Sequence, residues 1–445
     1  MHGIPAARTE RARRSHVAVF TFPAYAHIAP ALPTLTELVR RGHRVTCFVA
    51  KRFADEVRAA GAEPVEYASS FPWQDGPPGF GAENLLAFFE EGLAPLPTAV
   101  AHLEDDRPDL IAHDLAASES ARLLGRNWNV PTVQLCPTFA DSPDFSMTDR
   151  QAQEATDENP VEPIDPQDPA ITAFVARQQR RLAETGLEVL SCHDVPGAEH
   201  GDNLVFLPEA FQIASETFDA ERCAFVGPCT GPAEDGPGDP DDEPSWTPPG
   251  NGREVVLLSL GSSHTPGQTE FLRSCVRELA DSPWHLVVTL GHRVAPDELG
   301  PQPDHVEIHQ WLHYPDVLRH AAAFVTHGGM GSLLTSMAWG VPTVLVPYHW
   351  DQRVAARRAA ELGLGRALFR ESSGPGDLRT AVDEVVGSSR VRAAVTGMRR
   401  HIEEAGGAVR GADFLESRLP AADRPAAPAP QPRPDHPQPT EVTQR

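Results

Sequence analysis

Two groups of residues in this chain have the types and spacing for chemistry. The first is the glycine-rich run Thr326-His327-Gly328-Gly329-Met330-Gly331-Ser332, followed further on by Trp350-Asp351-Gln352. Gly328, Gly329 and Gly331 can take positive φ and let a ligand approach the backbone, and free N–H groups at the start of a following helix favour bound negative charge. A diphosphate fits such a cradle; a tight turn that satisfies only itself is the plainer alternative. Asp351 and Gln352 add a carboxylate and an amide, groups suited to sugar hydroxyls. The second group is His27, in Phe22-Pro23-Ala24-Tyr25-Ala26-His27-Ile28-Ala29-Pro30, with Asp114 in Ala112-His113-Asp114-Leu115. A neutral imidazole can take a proton from a hydroxyl when a carboxylate holds its other nitrogen and stabilises the imidazolium. A helix-capping or simply satisfied histidine is the competing reading.

These residues need elements to position them. Apolar runs at Val17 to Phe22 and Arg44 to Val49 predict strands, and the periodicity of Ala29 to Arg41, closed by Gly42, predicts a helix between them. Asp109 to Ala112, Ala117 to Asn127 and Pro131 to Cys136 repeat the strand, helix, strand order. A second series runs through Glu254 to Leu260, Trp284 to Leu290, His305 to Ile308 and Ala321 to Val325, then a helix over Ser332 to Trp339 and a buried strand over Val341 to Pro347. Alternating β and α segments imply parallel sheets, so the chain reads as two doubly wound α/β domains in tandem. In such sheets ligands sit at the C-terminal strand ends, where both groups fall.

The boundaries follow composition. The first domain spans 15-230 and the second 253-419, joined by the Pro, Gly and acid-rich segment 231-252, which lacks the apolar residues for a core. The tail 420-445 is dense in Pro, Ala and Gln and is expected to be disordered. The polar, proline-rich stretch Pro143 to Pro169 reads as a mobile loop over the cleft. A length of 445 residues with 40% hydrophobic content can fill two cores.

The formal net charge of −24 opposes binding to nucleic acid or an anionic membrane surface. No run approaches the roughly 20 apolar residues of a membrane span, and a cytoplasmic location is expected. The six cysteines have no CxxC spacing, which suggests neither a zinc site nor a disulfide framework. Lys51 is the only lysine, which rules out a GxxxxGK phosphate loop. Two metal-like patterns are discounted: Asp239-Pro240-Asp241 sits in the linker with no rigid scaffold, and His305, His309 and His313 lie on a stretch that alternates like a strand. Trp311, just past that strand, offers a flat face to a nucleobase or belongs to the core.

Taken with Leu38-Val39-Arg40-Arg41-Gly42-His43-Arg44-Val45 and Leu258-Ser259-Leu260-Gly261-Ser262, these residues resemble the family 1 glycosyltransferases of the GT-B fold, especially bacterial enzymes acting on macrolides and other natural products. The resemblance runs from about Ser15 to Leu419. It implies two Rossmann-like doubly wound parallel-sheet domains facing across a cleft, and a final helix within Val391 to Leu419 crossing back onto the first. It makes His27 the general base and Asp114 its orienting carboxylate. It makes Trp311 the stacking platform and gives the diphosphate to His327 and the backbone of Gly329, Met330, Gly331 and Ser332. Asp351 and Gln352 take the sugar hydroxyls, and Ser262, Leu312 and Trp350 complete the donor site. No cofactor or metal is implied beyond a dTDP- or UDP-linked co-substrate.

Departures from the family pattern carry information. The usual Trp-x-Pro-Gln reads Trp311-Leu312-His313-Tyr314, and Thr335 stands where many UDP-sugar enzymes place a glutamate on the ribose hydroxyls. Threonine points to a dTDP-deoxysugar, whereas Asp351-Gln352 is a pair often seen with glucose-type donors. In the loop around His27, Ala26 replaces the usual glycine and Ala29 a frequent asparagine. Phe71, Trp73, Phe80, Phe88 and Phe89 are candidates for an apolar acceptor pocket. The expected activity is inverting, metal-independent transfer by a hexosyltransferase-type enzyme from a nucleotide sugar to a hydrophobic acceptor, by a chain compatible with a homodimer. A non-catalytic homologue that binds an aglycone or activates a transferase, and a nucleotide-sugar epimerase, are the alternatives.

Overall fold

The computed structural model describes residues 14–71, 82–142, 144–155, 168–185, 187, 201–229, 246–261, 268–291, 294–374 and 376–420. The first half runs β1 (His16–Phe20), α1 (Tyr25–Ile28), α2 (Leu32–Arg40), β2 (Arg44–Ala50), α3 (Ala54–Ala59), β3 (Glu63–Tyr67), α4 (Ala82–Leu93), α5 (Leu96–Leu103) and β4 (Leu110–Asp114). It continues through α6 (Glu119–Trp128), β5 (Thr132–Cys136), α7 (Met147–Gln153), α8 (Pro169–Thr185), β6 (Asp202–Val205) and β7 (Cys223–Phe225). These strands form one parallel sheet in the order β3-β2-β1-β4-β5-β6-β7.

The second half runs β8 (Val255–Ser259), α9 (Gln268–Ala280), β9 (His285–Thr289), β10 (Val306–His309), α10 (Tyr314–Leu318), β11 (Ala321–Thr326), α11 (Met330–Trp339), β12 (Thr343–Leu345) and α12 (Trp350–Glu361). It ends with β13 (Gly365–Ala367), α13 (Asp377–Gly387), α14 (Ser389–Ala405) and α15 (Gly407–Ser417). Its parallel sheet has the order β10-β9-β8-β11-β12-β13. Both sheets are doubly wound.

Parallel strands are buried on both faces, and β1 shows the consequence: Val17 and Val19 enter one apolar cluster with Leu35 and Leu38 of α2, while Ala18 and Phe20 enter another with Leu103 and Leu124. In β8, Val256 and Leu258 face one way and Val255 and Leu257 the other. A further cluster spans both halves. Phe139, Phe145, Met147, Leu207 and Phe211 of the first half meet Leu333 and Met337 of α11, Val354 and Ala355 of α12 and Met398 of α14. The last helix then packs on the first domain, where Ala412 and Leu415 of α15 join the cluster of Leu35 and Leu38. Arg41 pairs with Asp413 and Glu416 at 2.6 Å each, and His43 with Glu416 at 2.7 Å.

Several expectations change. The helix read over Ala29 to Arg41 starts three residues later: α1 ends at Ile28, ahead of that segment, and α2 begins at Leu32 with Pro33 in its first turn, where a missing N–H costs nothing. His27 therefore lies on a short helix rather than an open loop. The strand read over Val341 to Pro347 is only three residues long, because its edge partner β13 offers three rungs. Within Pro143 to Pro169, Met147–Gln153 is a helix, capped where the Ser146 side chain accepts from Asp149 N–H, and not a mobile loop; residues 156–167 lie outside the described residues. Trp246, placed in a linker without a core, is buried among Leu257, Val287 and Phe324, and its indole N–H donates to Glu307 at 2.8 Å. The Asp239-Pro240-Asp241 motif and the tail beyond Pro420 lie outside the described residues.

Candidate active site

β1 and β4 are neighbours, so the turn after β1 and the last residue of β4 meet at one sheet edge. His27 Nδ1 donates to both oxygens of Asp114, at 3.0 Å each. Asp114 is buried, and its Oδ1 also accepts the Ala116 N–H at 2.7 Å, which fixes the carboxylate before any substrate arrives. This arrangement sets the tautomer: Nδ1 carries the proton held by Asp114, and Nε2 is the basic nitrogen. Burial pulls the His27 pKa down, but the charge and hydrogen bond of Asp114, with a further contribution from the charge of Asp351, outweigh it and raise the pKa above the ordinary 6.5. The Asp351 contribution is the electrostatic sign that the two halves of the site face each other.

The surroundings of His27 are aromatic. The His27 ring lies 5.0 Å from that of Phe22, which packs against Phe71 at 5.0 Å and Phe88 at 5.1 Å. Phe89 is partly exposed; Trp73 and Phe80 lie outside the described residues. Glu91, fully buried, secures this wall. Its carboxylate accepts Tyr67 Oη–H at 2.7 Å, Ser70 N–H at 2.8 Å and Phe71 N–H at 3.0 Å, the partners a buried charge requires.

On the other half, β11 delivers His327 between two glycines. A Cβ on Gly261 would lie 2.5 Å from His327 Cε1, and one on Gly329 would lie 2.4 Å from His327 Nε2. The backbone of both glycines thus closes on the Cε1–Nε2 edge of the imidazole, at a distance only glycine allows. Burial, reinforced by nearby His349, pushes the His327 pKa down to about 4, so near neutral pH it offers a hydrogen bond rather than a charge. α11 begins at Met330, two residues earlier than expected, which makes Met330-Gly331-Ser332 its first turn. The N-cap is Gly329, with no side chain to satisfy the leading N–H groups, and the helix dipole adds partial positive charge there.

The remaining residues expected at a donor site sort by burial. Trp311 is 56% exposed, which removes the core reading. Leu312 is buried with Val317 and Phe324, so only its backbone can face a ligand. Trp350 is buried and Asp351 exposed at the start of α12. Gln352 has a structural duty: its Oε1 accepts Tyr348 N–H at 2.8 Å and His349 N–H at 3.1 Å, capping α12 and leaving the NH2 end of the amide for a ligand. The Thr335 hydroxyl donates to Gly331 O at 2.8 Å, so toward a ligand it can only accept. Ser262 lies outside the described residues. His305, His309 and His313 turn to separate partners, Ala280 O, Glu307 and Asp316, and among the described residues no group of three or more His, Cys, Asp or Glu is placed to hold a metal.

Sequence reasoning missed Tyr314. Thr289 Oγ1 donates to Ser259 Oγ at 2.7 Å, and Ser259 Oγ meets Tyr314 Oη at 2.6 Å. With Thr289 and the Gly261 N–H, at 3.4 Å, donating in, the Ser259 proton is left for Tyr314 Oη, so the phenol braces the turn that holds Gly261 against His327. The only signal was the departure from Trp-x-Pro-Gln. Tyr314→Phe keeps the packing on Phe324 and removes the hydrogen bond to Ser259. The expected result is a donor KM raised about two- to tenfold, the worth of one hydrogen bond, with Tm little changed.

Comparison with known proteins agrees with this geometry. Residues 273–405 match the family described as erythromycin biosynthesis protein CIII-like, C-terminal domain. The chain is 35% identical over 419 residues to the oleandomycin glycosyltransferase of Streptomyces antibioticus, covering 93% of each chain. It is 32% identical over 441 residues to the demethyllactenocin mycarosyltransferase of Streptomyces fradiae, covering 94% of this chain and 91% of that one. The crystal structure of the calicheamicin glycosyltransferase CalG4 superposes with a TM-score of 0.75 at 35% identity, over 92% of this chain and 98% of that one. Two facing doubly wound sheets, a His–Asp pair at one strand edge, a helix-capped cradle at the other and relatedness along nearly the whole length place this chain in the GT-B glycosyltransferase family that includes the bacterial macrolide glycosyltransferases.

Proposed function

We propose that the protein transfers a sugar from a dTDP- or UDP-linked donor to a hydroxyl of a hydrophobic natural product of macrolide or polyketide type, with inversion at the sugar C1 and without a metal. The observation that carries the reading is the His27–Asp114 pair set opposite Asp351. His27 Nε2 takes the acceptor hydroxyl proton as that oxygen forms its bond to C1. The C1–O bond to the diphosphate breaks on the opposite face, and the negative charge that develops there falls on the first turn of α11 and on His327. Donors placed in advance need no reorganisation as the charge appears. The proton leaves His27 for solvent after the products separate, and Asp114 stabilises the imidazolium meanwhile. Asp351 and the amide NH2 of Gln352 hold the sugar hydroxyls, and Trp311 stacks on the base. Relatives named for oleandomycin and demethyllactenocin support a macrolide-like acceptor, as does the Phe22–Phe71–Phe88 wall.

Donor identity rests on Thr335. Its hydroxyl proton is already used within α11, so it can accept from one ribose hydroxyl but cannot bridge two as a carboxylate does. The expected result is tighter calorimetric binding of dTDP than of UDP; a clear preference for UDP would overturn the role given to Thr335. Turnover is expected to survive a chelator. Loss that added magnesium restores would overturn the metal-free reading and return attention to Asp239. A donor sugar that changes configuration with no acceptor present would favour the epimerase alternative instead.

A further inference from the structure

The helix that carries the sugar contacts is also the helix by which the second domain grips the first. Asp351 and Gln352 open α12, and Arg353, Arg357 and Arg358 follow within two turns. Arg353 Nε donates to Glu154 Oε2 at 3.3 Å, and Arg357 Nε donates to Glu154 Oε1. Glu154 is the C-cap residue of α7, in the first domain, and both it and Arg353 have side chains only 8% exposed. Arg353 is held from behind by Glu371, at 2.6 Å and 3.3 Å. Arg358 donates to three backbone carbonyls of the first domain: Phe211 O at 3.0 Å, Gln212 O at 2.9 Å and Ala210 O at 3.3 Å.

The first-domain side of this grip is itself fixed. Met147 N–H donates to Asp141 Oδ1 at 2.7 Å, and Phe139, Phe145 and Met147 are buried in the cluster shared with α11 and α12. A buried ion pair is a poor source of net stability, because desolvation offsets most of the attraction; its distinctive effect is to permit one register and penalise the others. Here the register is that of α12 against the domain bearing His27. Arg353 and Arg357 are four residues apart, on one helix face, so a slide or rotation of α12 breaks both contacts at once. The same movement carries Asp351 away from His27.

We propose that Glu154 is a positioning residue for transfer: through Arg353 and Arg357 it sets where α12 places the donor sugar relative to the base on His27. This inference rests on the transferase reading above. Asp351 and the cradle lie in the same domain, so donor binding does not depend on the clamp. The encounter of the sugar C1 with the acceptor oxygen does depend on it, and misplacement on the scale of 1 Å can cost about 100-fold in rate.

The test is steady-state kinetics on the full-length chain carrying Glu154→Ala, Glu154→Gln, Arg357→Ala and the Glu154→Ala/Arg357→Ala double substitution. Each preparation is normalised to its calorimetric stoichiometry for dTDP or UDP, so unfolded material is not counted. The expected result for Glu154→Ala is a kcat per binding site lowered about 10- to 100-fold, with nucleotide Kd and donor KM within about threefold of the parent. Glu154→Gln, which keeps an acceptor oxygen for one arginine, recovers part of the loss. The double variant is expected to lose much less than the product of the two single losses, as partners in one interaction do. If kcat per binding site stays near the parent value, or falls only as stoichiometry falls, Glu154 is merely structural and the inference is overturned. Amide exchange supplies a readout that needs no turnover. Glu154→Ala should speed exchange in α7 and α12 and leave β8 and β11 unchanged; unchanged protection of α12 would overturn the clamp even if the parent chain proved not to transfer sugar.

Discussion

His27→Ala is expected to lower kcat about 100- to 10,000-fold, the usual range for a lost general base, while dTDP or UDP still binds at the parental affinity and stoichiometry. The separation follows from geometry. His27 lies on α1 at the first sheet's edge, whereas the proposed diphosphate cradle belongs to β11 and α11 of the second domain. A substitution at the base therefore removes proton acceptance and leaves the anion site whole. Turnover near the parental rate would show that the acceptor loses its proton by another route. The pH profile gives the same test without truncation. A general base must be neutral to act, so kcat/KM rises with pH and its lower inflection reports the His27 pKa. Because Asp114 and Asp351 hold that pKa above 6.5, the inflection is expected above 6.5. Asp114→Asn keeps the shape of the contact but removes its charge, so the inflection should move down. An inflection that stays in place would mean that Asp114 does not act on the base electrostatically.

Gly261→Ala is expected to weaken nucleotide binding about 10- to 100-fold without unfolding the chain. Two effects act together. Gly261 sits at φ +81°, where an L side chain costs roughly 1–2 kcal/mol. Its new Cβ would fall 2.5 Å from the His327 ring, which the backbone at Gly329 already crowds. The ring must shift, and the hydrogen bond proposed between it and a charged diphosphate, about 1.5–3 kcal/mol, goes with it. Thermal denaturation would report a modest loss and calorimetry a large one. Affinity within about threefold of the parent would mean that the imidazole does not hold the diphosphate.

What was legible in the sequence follows from which relations are local or rule-bound. The βαβ order is local, and adjacency of β1 and β4 follows from how doubly wound sheets reverse direction, so the His27 and Asp114 pairing was within reach. The GGxG turn and the strand before it are likewise local. Glu154 and Arg353 are 199 positions apart and meet only because the two domains dock; no periodicity records that. Tyr314 is a similar case, since its hydroxyl acquires meaning only when β8 and β9 bring Ser259 and Thr289 beneath it. Trp246 escaped because proline and acid dominate its neighbourhood, whereas a single indole with a partner at Glu307 was enough to anchor that stretch. Gln352 was read for its amide alone, and its duty as a helix cap appears only with the backbone of Tyr348 and His349 in place.

The apolar cluster that joins Phe139, Phe145 and Phe211 to Met337, Val354 and Met398 has a consequence for engineering. Exchanging donor halves between related transferases is a natural route to hybrid enzymes, and the sheets themselves are self-contained enough to suggest it. Yet the seam between the halves is packed like an interior, so a grafted half brings mismatched volumes and unpaired arginines to the very helices proposed to hold the nucleotide sugar. A workable hybrid must carry its matching contact face with it, and the crossover is best chosen by that face rather than by the catalytic motifs.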